Sequence, residues 1–150
     1  MISKGRGMKF VKYFVVLLTL AIFTAPHYSY GADLSNLSDD LSRLKSGEYA
    51  NHTIKFKTPS GAGNTDDTII ITFPASFDLS ALAISDINLT HGLTGTEIEE
   101  TLADPANTTD WGVIITENIL TFSHPTNSNN GDINKDDIVT IKIGVNANGE

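Results

Sequence analysis

Three histidines, His52, His91 and His124, stand in the body of the sequence. Imidazole is the commonest metal ligand and general base, but a zinc site shows itself in paired spacing such as HxH or HxxxH. These three lie far apart. His52 opens a strand pattern, His91 sits in a turn beside Gly92, and His124 precedes Pro125. They read as three unrelated surface or edge residues. Acidic doublets occur at Asp39-Asp40, Asp66-Asp67, Glu99-Glu100 and Asp136-Asp137. Hard cations take several oxygen ligands, and residues 130–137 (NGDINKDD) resemble the later half of a calcium loop. Asn130, Asp132, Asn134, Asp136 and Asp137 supply the oxygens and Gly131 the turn. The first half lacks this chemistry, because Thr126 and Ser128 stand where carboxylates belong, and the residues after Asp137 read as a strand. The segment is a candidate calcium loop or a hydrophilic turn whose aspartates start a strand. Calcium is the one cofactor these residues suggest.

Other chemistries find less support. The chain has no cysteine, which excludes disulfide frameworks, thiolate metal sites and cysteine nucleophiles. No serine stands in a GxSxG elbow, and no glycine-rich phosphate loop precedes a helix. Glycoside hydrolysis needs two carboxylates facing each other across a cleft, and among eighteen acids chance pairs are certain. Trp111, Tyr49, Phe77 and Phe122 could form an aromatic platform for a sugar ring, although most lie in strand patterns where core packing is the commoner use. Asn36, Asn51, Asn88 and Asn107 each open an N-x-S/T sequon, which matters only where the host glycosylates exported proteins.

Lys4, Arg6, Lys9 and Lys12 begin the chain, and residues 14–25 (FVVLLTLAIFTA) are apolar apart from threonine. Pro26 ends any helix and HYSYG comes after it, which is the order of a secretory signal peptide. Ser29 and Gly31 meet the small-residue rule, so cleavage is expected between Gly31 and Ala32. The alternative is an uncleaved anchor, but a spanning helix needs about 20 apolar residues. No Cys comes after the apolar run, so a lipoprotein anchor is excluded. Residues 1–31 are therefore expected to form a signal helix, and the chain to be secreted or to reach the cell surface. The formal net charge is −8; four of the ten basic residues lie in the leader and none of the eighteen acids does, which leaves six bases against eighteen acids and a net charge of −12. Such a surface repels nucleic acid and anionic lipid. No nucleic-acid partner is expected, and membrane contact only through the leader during export.

The elements that would carry these residues change period along the chain. Residues 32–50 form a lead-in segment in which Leu34, Leu37, Leu41 and Leu44 recur at helical spacing, while intervening Ser and Asp weaken a helix. A short helix or an irregular first strand fits it. From Ala50 the period becomes two. Ile54 and Phe56 alternate with polar residues; Ile69, Ile71 and Phe73 share a face; residues 84–90 form a weaker strand and 97–102 a short edge strand. Trp111, Val113 and Ile115, then Leu120 and Phe122, flank Glu117-Asn118, which predicts a β-hairpin with Asn118 at a position tolerant of positive φ. Val139, Ile141, Ile143 and Val145 share the last face. TIKFKTP, TIIITFP and ILTFSHP each close on proline, which cannot donate to a sheet. Six or seven short strands at this spacing predict an antiparallel β-sandwich or small barrel, and roughly 120 residues can bury a core without disulfides.

NHTIKF, TIIITFP, WGVIIT with ILTFSHP, and DDIVTIKIGVN resemble immunoglobulin-like β-sandwich modules of exported bacterial surface proteins. The likeness covers residues 51–149 and carries structural motifs, not catalytic ones; the Cys pair of antibody domains is missing. It implies an all-β, antiparallel immunoglobulin-like sandwich over 51–150. In such modules the strand IKIGVN is succeeded by a loop and a closing strand. The chain is therefore expected to be a fragment, or its sandwich to lack its last strand, with an unpaired edge beside residues 138–145. The expected function is a non-enzymatic exported module with a structural or adhesive role at the cell surface. Its partners would be other surface modules or a cell-surface or extracellular ligand. Alternatives are a carbohydrate-binding module and a secreted hydrolase with an unrecognised carboxylate pair.

Overall fold

Nine strands form among the described residues. A computed structural model describes residues 33–45, 47–127, 129–145 and 147; the expected signal segment lies outside them. In chain order the strands are β1 (Ser35–Leu41), β2 (His52–Lys57), β3 (Thr68–Thr72), β4 (Ile87–Gly92), β5 (Ile98–Glu100), β6 (Leu102–Ala103), β7 (Trp111–Thr116), β8 (Ile119–Ser123) and β9 (Ile138–Ile143), with a 3-10 turn Ile84–Asp86 before β4. No α-helix occurs among the described residues. The first sheet has the order β1-β2-β9-β4-β5 and the second β3-β8-β7-β6. All pairs are antiparallel except β6 with β7, which is parallel. The architecture is thus all-β with two sheets, the layering of a β-sandwich.

The core lies where the inward parities of the two sheets meet. Ile54, Phe56, Ile87, Leu89, Val139, Ile141 and Ile143 come from the first sheet, and Trp111, Val113, Leu120 and Phe122 from the second. Burying such a side chain stabilises by about 1.5–3 kcal/mol, so this set dominates the fold. Pro59, Pro74 and Pro125 come within two residues of the ends of β2, β3 and β8, as the shared sequence ending predicts.

Several expectations need correction. The helical option for the lead-in is wrong: the leucine segment holds β1, an irregular edge strand whose register with β2 shifts between Ser35 and Ser38. All seven β1 residues are exposed, so its leucines had no core to meet. Residues 97–102 divide between β5 in the first sheet and β6 in the second. The strand expected at residue 84 starts at Ile87, because Asp86 accepts the Ala83 N–H and closes a 3-10 turn. Val145 is 79% exposed, since β9 ends at Ile143 and Gly144 turns with φ 102°. The hairpin is present, but its positive φ falls on Glu117 (53°). Asn118 instead ties to Phe73, accepting its N–H and donating its side-chain amide to its carbonyl. Finally, β9 pairs with β2 and β4, so no unpaired edge lies beside it.

Candidate functional site

All three histidines are interior, which overturns their reading as surface or edge residues. His52 is 6% exposed, His91 2% and His124 1%. The parity of the strands places them there. His52 shares its face with Ile54 and Phe56, His91 with Ile87 and Leu89, and His124 continues the row of Leu120 and Phe122. A buried imidazole keeps its hydrogen-bonding demand, and each meets it with a carboxylate. His52 Nδ1 lies 2.9 Å from Asp39 Oδ2, tying β1 to β2, and its ring meets Phe73 and Phe77 edge-on. His124 Nε2 lies 3.2 Å from Asp132 Oδ1, while Nδ1 faces the Pro125 carbonyl at 2.9 Å. Trp111 packs against it at 5.2 Å, edge to face.

His91 is the most enclosed of the three clusters. Nδ1 lies 2.9 Å from Asp137 Oδ2 and Nε2 2.9 Å from Glu100 Oε1. Asp137 Oδ2 also accepts the Asn134 N–H at 2.9 Å. One ring thereby joins β4, β5 and the segment entering β9. Burial pushes the imidazole pKa down and is the largest single influence. The hydrogen bonds to Glu100 and then Asp137, with the charges of both, outweigh it, so the pKa is raised above its ordinary value. Imidazolium donates from both nitrogens, and here both have an anionic acceptor. The ring is a strut: both nitrogens face carboxylates of the fold, which leaves neither open to a substrate or a metal.

Nearby, the loops joining β2 to β3 and β8 to β9 clasp each other. Ala62 and Ile133 exchange both backbone hydrogen bonds, at 2.8 and 2.9 Å. Gly61 has φ 79°, and a Cβ there would strike the Ile133 carbonyl oxygen. A shallow groove of about 420 Å³ runs beside this clasp, lined by Gly63, Asn64, Asp67, Asp132, Asn134 and Lys135 among others. Asp67 Oδ2 accepts the N–H groups of Asn64 and Gly63 and the Asn64 side-chain amide. The Asn64 N–H is the main reason its pKa is lowered.

The calcium candidates lie along this loop but face different partners. Asp132 turns to His124, Asp136 to Lys57 at 3.0 Å, and Asp137 to His91. Asn130 donates its side-chain amide to the Thr108 carbonyl, and Asn134 contributes its backbone N–H to Asp137. Among the described residues no group of three or more His, Asp or Glu side chains is placed to hold a metal. The four aromatic residues do not share a surface either. Trp111 and Phe122 are fully buried, Phe77 is 38% exposed and Tyr49 92%. Of the sequon asparagines, Asn88 is 8% exposed and donates to Glu99, whereas Asn36 is exposed on β1 with φ 56°. No protein family, no curated protein and no solved structure matches this chain.

Proposed function

We propose that the chain is an exported, non-catalytic, immunoglobulin-like β-sandwich module with a structural or adhesive role at the cell surface, meeting other surface modules or an extracellular ligand. The observation that carries this reading is that the histidines are used as internal struts. Each imidazole is interior and bound to a carboxylate of another part of the fold. Groups that a catalyst would present to a substrate are here used between strands. Among the described residues Asp67, Asp78 and Glu97 are the carboxyls that depart from the ordinary range, and all three move down, away from a general acid. The burial of Trp111 and Phe122 likewise weakens the carbohydrate alternative, whose platform would use their rings.

The test is fractionation of the producing cells. Mass spectrometry of the recovered protein is expected to give an N-terminus at Ala32, and protease treatment of intact cells is expected to remove it. Deleting the gene is expected to reduce cohesion or attachment of those cells. A chain beginning at Met1 in the cytosol, or turnover of a substrate by the purified protein, would overturn the proposal.

A further inference from the structure

Among the described residues the two sheets present four edge strands: β1 and β5 in the first sheet, β3 and β6 in the second. Edge strands expose unpaired backbone groups, and proteins blunt them with charge, bulges, proline or shortness. Three of the four are blunted. β1 carries Asp39 and Asp40 and an irregular register; β5 is three residues long and carries Glu99 and Glu100; β6 has only two residues. β3 reads Thr68-Ile69-Ile70-Ile71-Thr72, five β-branched residues with no charge, no proline and a continuous register against β8.

The register also shows which backbone groups of β3 are open. His124 N–H donates to the Asp67 carbonyl, and Phe73 N–H to the Asn118 carbonyl. In an antiparallel ladder the hydrogen-bonded positions alternate, so Ile69 and Ile71 bond β8, while Thr68, Ile70 and Thr72 turn their N–H and C=O outward. No described residue pairs with these outward groups. The strand has the same sequence in either direction, T-I-I-I-T.

We propose that β3 is a self-docking edge through which two copies of this chain pair antiparallel about a two-fold axis at Ile70. A two-fold contact is self-complementary by symmetry, and the palindrome sets like side chains opposite like, isoleucine on isoleucine and threonine on threonine. Ile70 faces Ile70 of the second copy, Thr68 faces Thr72, and Ile69 faces Ile71. The outward groups of Thr68, Ile70 and Thr72 then form about six hydrogen bonds. Ile70, 62% exposed on the outer face, gains an isoleucine neighbour across the axis, and the partly covered Ile69 and Ile71 gain inner-face neighbours. Charge points the same way. Residues 32–150 hold six basic against eighteen acidic side chains, a net −12, so contacts between copies favour an uncharged element.

A five-residue pairing alone buries less than the ~800 Å² per partner of a standard interface. Asp39 of β1 and Phe73, next after β3, both contact His52, so the exposed leucines of β1, with Leu34 just before it, offer more apolar surface near this edge. Leu34, Leu37 and Leu41 are 51%, 67% and 37% exposed. This inference does not depend on the proposed function.

The experiment is sedimentation of the purified chain over a concentration series. The expected result is a reversible monomer–dimer equilibrium. Ile70→Lys, at an exposed position, is expected to leave the melting temperature of the dilute monomer unchanged and to raise the dimer dissociation constant at least tenfold. Ile114→Lys, exposed on the same outer face but on an interior strand, is expected to leave dimerisation intact. Amide hydrogen exchange of the unmodified chain gives a second reading. The Thr68, Ile70 and Thr72 amides are expected to become protected as concentration rises. A monomer at all concentrations, undiminished association in I70K, or fast exchange of these three amides throughout would overturn the proposal.

Discussion

At His91 a single ring holds three elements together, because Glu100 belongs to β5, Asp137 leads into β9 and the ring itself sits on β4. Its folded pKa is raised, so its contribution is complete below the unfolded value near 6.5 and is lost as pH rises through the folded value. Asp67 acts in the opposite direction. Its folded pKa is lowered from 3.8, so its contribution is present above that value and is lost as pH falls through the folded one. Thermal melting measured against pH is therefore expected to show greatest stability between about pH 4 and 6.5, with a fall on each side. His91→Gln should flatten the alkaline fall and leave the acid fall in place; an unchanged alkaline fall would assign it to another group. Backbone geometry gives a second expectation at this scale. Gly61→Ala combines positive φ with a clash against the Ile133 carbonyl, and is expected to cost about 2 kcal/mol in chemical denaturation. The same change at Gly47, which has φ 75° and open space around it, is expected to cost about 1 kcal/mol.

The loop entering β9 uses its acids as ties between elements. Asp132 reaches His124, Asp136 reaches Lys57, and Asp137 reaches His91. A cation drawing these oxygens together would have to break three existing pairs, so millimolar calcium is expected to leave the melting temperature unchanged, and EDTA likewise. A rise with calcium would show a bound state with the loop rearranged. These partnerships explain how far the elements were legible in sequence. Strands β2, β7, β8 and β9 could be read because one face of each meets the core, and burial imposes the alternation that periodicity detects. β1 could not, since a strand exposed on both faces is free to carry leucines at any spacing. β5 and β6 read as one strand because the crossing between sheets after Glu100 leaves no mark in hydrophobicity. For the histidines, the inward parity was visible beside Ile54, Leu89 and Phe122. What sequence order hides is the partner: Asp137 lies 46 residues from His91, and only the fold brings the acid that makes burial tolerable.

Charge is distributed unevenly over the molecule as a whole. Lys55 and Lys142 stand on the outer face of the first sheet, and Lys57 at its margin is tied to Asp136. On the second sheet the outer parity reads Thr68, Ile70 and Thr72 on β3, Ile119, Thr121 and Ser123 on β8, and Gly112, Ile114 and Thr116 on β7. That face has no charge. Two routes to association therefore differ in the sign of their salt dependence. Docking through β3 brings no opposite charges together, while the net −12 carried by residues 32–150 opposes approach. Screening shortens the Debye length from about 30 Å at 0.01 M to about 8 Å at 0.15 M, which weakens that repulsion and leaves the hydrogen bonds and isoleucine contacts intact. Raising sodium chloride across this range is expected to tighten the dimer several-fold in sedimentation. Docking of acidic loops on Lys55 and Lys142, which share their face with Asp40 and Glu99, would be an attraction between opposite charges, and the same salt would loosen it. A dimer that weakens with salt would thus place the contact on Lys55 and Lys142 rather than on β3.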